Sequence, residues 1–327
     1  MNLGILLWNT CNAACDHCAV NSSPKEKPVM TDEQICRLID SAFCDSENPS
    51  IGFSGGEAFA FFDRLCRILR YATAKGASVS VNTNGFWGRN YEDACCKIKI
   101  LKAIPVSKLV VSIDDFHDRF LPKAYPLAVI RACKEHQLEV DLQFVATRNS
   151  SRLADLLREH GEELLNVTCR EIPCHPVGRA ASFAESSLFL APRVPGGLCP
   201  SAIMSASADG RLIPYCNTAG HLKELQLGSV DDDVIAVNER FLNDPVFVVM
   251  RHLGPKAFYE QAVALGLLGH EKGHVDQCHL CHSLFVNSGS REKLRPSAEA
   301  LLAEVRYNMF LRQYERNLLS LPASRLV

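Results

Sequence analysis

The chain has 327 residues, 47% of them hydrophobic, and a formal net charge of -2, enough to bury a large core, with no basic stripe for nucleic acid and no acidic tail. No apolar run reaches membrane-spanning length and Met1–Trp8 lacks a basic signal region, so a cytoplasmic protein with no membrane and no nucleic-acid partner is expected. Fifteen cysteines in a reducing compartment then point to metal binding or catalytic thiols rather than disulfides.

Up to about residue 175, short apolar runs alternate with amphipathic segments. This pattern predicts strands at 3–8, 50–54, 77–82, 108–113, 139–146 and 165–171, and helices near 31–44, 60–74, 90–102, 124–136 and 151–160. Thr31 followed by Gln34 predicts a capping box at the first helix. Such alternation implies parallel strands with helical crossovers, and six units make an α/β fold of the partial (β/α)6, TIM-like barrel type, with its site on the loops that follow the strands. Between 173 and 200, prolines and Gly196-Gly197 interrupt the periodicity. The expected division is a barrel at 1–190, a smaller domain at 191–290 and a helical extension at 291–327. The smaller domain opens with a predicted hairpin, Ile203–Ala208 and Arg211–Tyr215 about an Asp209-Gly210 turn. Helices near 239–250 and 256–268, a turn at Cys278/Cys281 and a charged helix at 296–319 follow.

Cys11, Cys15 and Cys18 have the spacing C-x3-C-x2-C directly after the first strand. Three thiolates on one short loop can ligate three irons of a cubane and leave the fourth open to a chelating cofactor; zinc with a distant fourth ligand is the alternative. The second strand runs into Ser54-Gly55-Gly56-Glu57, where two glycines admit close backbone approach and the carboxylate can accept from an ammonium group.

Together these motifs resemble the radical S-adenosylmethionine (SAM) superfamily. The resemblance implies a [4Fe–4S] cluster with an open iron on Cys11, Cys15 and Cys18, chelated by SAM, whose reductive cleavage gives a 5′-deoxyadenosyl radical. It implies that Gly55, Gly56 and Glu57 contact the methionine amino end of SAM. More loosely, it assigns cofactor contacts to Asn84 after strand three, to Ser112 and Asp114 after strand four and to Arg148 after strand five; separately, Arg179 is a candidate to hold a carboxylate of SAM or of the peptide. An electron donor such as flavodoxin or ferredoxin would supply the reductant.

Cys199, Cys216, Cys278 and Cys281 surround the hairpin and close with C-x2-C. The layout resembles the shortened auxiliary-cluster domain (SPASM/twitch type) of radical SAM dehydrogenases and peptide-modifying enzymes, which implies one auxiliary [4Fe–4S] cluster on these four residues. Zinc on the same thiolates is the alternative. The remaining cysteines, among them Cys95, Cys96, Cys169 and Cys174, show no ligand spacing and read as structural.

Asn84-Gly85-Phe86-Trp87-Gly88, Ser112–His117 and Cys278–Phe285 resemble matching places in the radical SAM epimerases of ribosomally made peptides and in related cyclopropane-forming maturases. A ribosomal precursor peptide is therefore the expected substrate, with no separate leader-binding domain before the barrel. Epimerisation needs a hydrogen donor, and those epimerases carry adjacent cysteines after the hairpin. Here Tyr215-Cys216 stands in that place, so Cys216 either ligates the second cluster or donates; Tyr215, Cys169 and Cys174 are other donors to consider. Lacking a donor, the substrate radical would lose an electron and a proton, giving a ring, cross-link or double bond. Epimerisation is the alternative, and a small-molecule dehydrogenase a second one. Asp115 and His117, after strand four, are candidate acid–base groups.

Overall fold

Six strands form in the order the patterning predicts: β1 (Leu3–Leu6), β2 (Ser50–Ser54), β3 (Ser78–Thr83), β4 (Lys108–Ser112), β5 (Glu139–Ala146) and β6 (Thr168–Pro173). The structure, a computed structural model, describes residues 1–27, 29–199, 203–214, 218–269 and 273–319. β1 is buried on both faces, while β3 alternates buried and accessible positions, the period-two signature of a strand with one fully covered face. The helices α1 (Asp32–Ala42), α2 (Phe62–Ala74), α3 (Tyr91–Ala103), α4 (Asp115–Asp118), α5 (Ala124–Glu135) and α6 (Leu153–His160) lie between them. Thr31 and Gln34 form the capping box of α1, and Asn90 caps α3 through Asp93 N.

β1 to β6 pair in parallel, each with its chain neighbour. The hairpin β7 (Met204–Ala206) and β8 (Arg211–Pro214) does not stand apart from them. β7 pairs parallel with β1 (Leu3 opposite Met204), and β8 pairs antiparallel with β7 and with β9 (Gly228–Ser229). The sheet order is therefore β6-β5-β4-β3-β2-β1-β7-β8-β9, an open α/β partial barrel extended at its β1 edge. One apolar cluster runs from this sheet through the helices, and a smaller one joins Cys11, Ala13 and Cys15 to Phe116.

Three elements depart from the sequence expectation. β6 starts at Thr168, not near 165, because Asn166 takes a positive φ of 65° and breaks the run. The single helix expected at 239–250 is two, α7 (Val234–Asn243) and α8 (Pro245–His252). Asp244 is extended and caps Val246 N, and Pro245 has no N–H to continue α7. After α9 (Tyr259–Ala264), Cys278 and Cys281 lie not on a turn but in α10 (Gln277–Phe285), capped by Asp276. The last described element is α11 (Ser290–Leu319), held to Asp244 by Arg291 (2.9 Å) and Arg295 (2.8 Å). No helix among the described residues is long and apolar enough to cross a membrane.

Candidate active site

The loop after β1 folds back on itself: Cys11 N donates to Ser23 O (3.1 Å) and Cys18 N to Cys15 O (3.1 Å). A distant segment staples it. Arg179 donates from Nε to Cys15 O (2.8 Å), from Nη2 to Ser22 O (2.7 Å) and from its backbone N to Cys18 O (3.1 Å). Gly178 (φ +57°) lies so close to the Cys18 carbonyl that any side chain would overlap it. Arg179 is thus spent largely on positioning the cysteine loop.

The two glycines after β2 serve the same loop. Gly56 N donates to Trp8 O (2.6 Å) and Glu57 N to Thr10 O (3.0 Å). A Cβ on Gly55 would stand 2.5 Å from Trp8 O, and one on Gly56 2.8 Å from Asn9 O. Glu57 turns inward and does not face the cavity. Its Oε1 accepts from Phe59 N (2.9 Å) and Thr83 Oγ1 (2.7 Å), its Oε2 from Asn84 N (2.7 Å). Through these three donors the carboxylate positions Asn84 and the end of the third strand. Burial nevertheless pushes its pKa up, against the lowering effect of those donors.

These loops enclose a cavity of about 330 Å³ at the carboxyl ends of the strands, the expected place in an open parallel sheet. Cys11, Cys15 and Cys18 line it on one side, with Gly55 and Gly56 beside them. Asn84, Ser112 and His117 also line it. Asn84 Nδ2 donates to Asn12 Oδ1 (2.8 Å) and lies 3.8 Å from Cys11 Sγ.

Asp114 lies behind this wall. It caps α4 through Phe116 N and His117 N and accepts from His117 Nδ1 at 2.9 Å, while His17 Nε2 is 3.8 Å from its other oxygen. Burial opposes its ionisation, yet the two imidazoles and these hydrogen bonds prevail and hold it at about 2. His117, by the same pairing, is raised despite burial. The carboxylate orients His117 toward the cavity, as a second partner orients a functional histidine.

Besides Glu57 and Asp114, two further predicted residues do not line the cavity. Asp115 accepts from Ser151 N (2.7 Å) and faces Lys123 (3.4 Å), so it pins the loop after β5 and is not placed for acid–base work. Arg148 donates from Nε to Leu188 O (2.7 Å) and lies over Phe189, occupied by the segment after β6. Tyr215 and Cys216 lie outside the described residues. Neither Cys169 nor Cys174 lines the cavity; their thiols face Val167 O and His175 O.

Sequence reasoning left Gln143, His175 and Thr218 on the cavity wall unassigned. Gln143 had a signal: a polar residue two before Val145 on the same inward face of a core strand. His175 had none, because its partners are distant. It bonds Thr218 Oγ1 (3.0 Å) and Asp276 Oδ1 (2.9 Å), and Asp276 caps Cys278 N (2.9 Å). The cavity is thereby tied to the helix of Cys278 and Cys281. Cys199 and Cys281 meet at one residue: Cys199 N donates to Met250 O (3.0 Å), and Cys281 Sγ lies 3.7 Å from Met250 Sδ.

The thiols fit a resident cluster. Burial pushes Cys11 and Cys15 up to about 12, so a bound metal is what would keep them as thiolates. Among the described residues that line the cavity there is no fourth cysteine, which suits a cubane with one open iron. Residues 5–147 match the family described as the Radical SAM superfamily. Those residues form a radical SAM domain. That domain is the unit that uses an iron–sulfur cluster and SAM, which together supply a carbon-centred radical when bound.

Among related sequences, the Bacillus subtilis (strain 168) protein named "Putative peptide biosynthesis protein YydG" is 24% identical over 222 residues, 66% of this chain and 69% of that one. An "AdoMet-dependent heme synthase" of Oleidesulfovibrio alaskensis is 28% identical over 159 residues, 45% of this chain but 39% of the other. Among solved structures, "Native anSMEcpe with bound AdoMet" superposes with a TM-score of 0.59 at 16% identity, over 92% of this chain and 98% of that one. Streptococcus suis SuiB bound to S-adenosylmethionine gives 0.50 at 14% identity, over 76% and 67%. These likenesses establish the partial-barrel fold.

Proposed function

We propose that this radical SAM enzyme matures a ribosomally made precursor peptide in the cytoplasm. The likeness to a protein named for peptide biosynthesis, over two thirds of this chain, carries the substrate class. In this reading Cys11, Cys15 and Cys18 ligate the first cluster, while Gly55, Gly56, Asn84 and Ser112 line the cofactor's berth. Asp114 and Glu57 position that wall. A flavodoxin or ferredoxin delivers the electron. Residues 191–290 act as an auxiliary-cluster domain with Cys199, Cys278 and Cys281 as ligands and Cys216 as the fourth. In support, the backbone of Cys199 and the thiol of Cys281 both contact Met250.

The reaction proposed is oxidative. Once hydrogen is abstracted from the peptide, the carbon radical would lose an electron and a proton; an auxiliary cluster, when bound, would supply the electron acceptor, and His17, His117 and His175 are the imidazoles on the cavity wall that could take the proton. A ring or a new bond within the peptide results. The position of Cys169 and Cys174 away from the cavity favours this over return of a hydrogen. Co-expression with the precursor peptide in deuterated water separates the outcomes by mass. Loss of two hydrogens supports oxidation. Unchanged composition with one solvent deuterium at Cα means epimerisation and sinks the oxidative reading, and an unmodified peptide beside an oxidised small alcohol sinks the peptide reading.

A further inference from the structure

We infer that the outer face of the barrel carries a separate zinc-class metal site built from Cys95, Glu135 and His136. Cys95 lies on α3, Glu135 ends α5 and His136 is its C-cap. One ligand atom from each lies within 4.8 Å of the other two. Cys95 lies 40 residues before Glu135, so no motif announces the group, and none of the three lines the cavity.

Two further observations point to a cation. His136 Nε2 is shielded from solvent and has no hydrogen-bond partner among the described residues, and Glu135 Oε1 is too far away at 3.9 Å to supply one. A buried polar atom left in this way calls for an unseen water or ion. Tyr91 Oη donates to Glu135 Oε2 at 2.6 Å and also bonds Cys95, so one phenol holds two of the three donors beside each other. Nearby cations are partly committed elsewhere. Arg131 stacks on the Tyr91 ring at 4.9 Å, and Lys134 turns to Glu163 O at 2.8 Å.

The donor set selects the metal class. One thiolate, one imidazole and one carboxylate suit Zn(II), whereas Mg(II) and Ca(II) take oxygen alone. The thiolate and carboxylate together balance a divalent charge. Glu135 is exposed, which leaves room for water as fourth ligand. Such a metal would clamp α3 to α5. The start of α5 carries the loop after Asn84, where a Cβ on Gly85 would stand 2.7 Å from Pro126 Cα. Its expected effect is therefore stability of the wall behind the cavity.

The test uses holoenzyme with its iron loaded, exposed to zinc and then desalted, in wild type, Cys95→Ser, His136→Gln and the neighbouring control Cys96→Ser. We expect wild type and Cys96→Ser to retain one more zinc per chain than Cys95→Ser and His136→Gln, at equal iron content, and zinc to raise Tm only in the former pair. Cobalt(II) should give a sulfur-to-metal charge-transfer band that Cys95→Ser abolishes. Equal zinc in all four proteins, or none in any, overturns the site. A variant that fails to hold iron is replaced by Glu135→Gln, judged by the same zinc difference. Iron content and peptide turnover report separately on the proposed function.

Discussion

Glu57 Oε2 accepts the backbone N–H of Asn84 at 2.7 Å, so a carboxylate buried from solvent ties the loop after β2 to the end of β3. Its other oxygen holds Thr83 Oγ1 and Phe59 N. Glu57→Gln would replace one acceptor by an N–H₂ group facing a backbone donor. We expect a loss of about 3 kcal/mol in unfolding free energy and weaker SAM binding with iron content largely kept. Urea melts and equilibrium binding measure the two; unchanged stability would show that the hydrogen bonds do not carry the charge's burial.

Gly56 faces the carbonyls of Asn9 and Thr10. In Gly56→Ala the methyl group must push the cysteine loop away, because the obstacle is backbone and cannot rotate aside. Iron per chain after anaerobic reconstitution should fall by up to half, the share of the first of two clusters, while a Gly266→Ala control, with nothing within 4 Å but a positive φ, should retain full iron at some cost in stability.

Arg179 bridges the carbonyls of Cys15 and Ser22 with two different nitrogens. Lysine keeps the charge but offers a single point donor that cannot reproduce the fork. Arg179→Lys should therefore lose cluster retention on exposure to chelator nearly as fast as Arg179→Ala. If the lysine variant instead behaves as wild type, charge alone accounts for the residue.

Asp244 anchors α11 to α8. Burial opposes its ionisation, but the hydrogen bonds from Arg295 and Arg291 prevail and lower its pKa below the ordinary 3.8. A carboxylate depressed on folding contributes stability that is present above 3.8 and is lost as the pH falls through the lower folded value. Asp244→Asn keeps a capping oxygen for Val246 N and removes the charge. It should cost about 1–2 kcal/mol at neutral pH, and the gap from wild type should close as acid is added below pH 3.8. Denaturant melts of both proteins across that range provide the comparison.

The first cysteine loop and the Gly-Gly-Glu segment were legible because their chemistry is local: ligand spacing, strand-end position and small residues lie within a few positions of one another. The parallel strands were legible for a similar reason, since apolar periodicity records which face is covered. Thr31 with Gln34 and the Asp209-Gly210 hairpin belong to the same class. The sequence by itself thus determined the barrel, the cysteine loop and the radical chemistry.

Tertiary structure alone decided what the surrounding residues do. Glu57 and Asp115 look available in sequence, yet packing gives their oxygens to Asn84, Thr83 and Ser151. Arg148 is drawn to Leu188, and the cysteine loop is held by Arg179 from 164 positions away. The hairpin's place beside β1 was also invisible, because strand pairing across 200 residues leaves no periodic trace. The same holds for Cys95 with Glu135 and His136. A buried polar group takes whichever partner the fold brings within about 3 Å, and that partner is set by packing between elements, which spacing along the chain does not record.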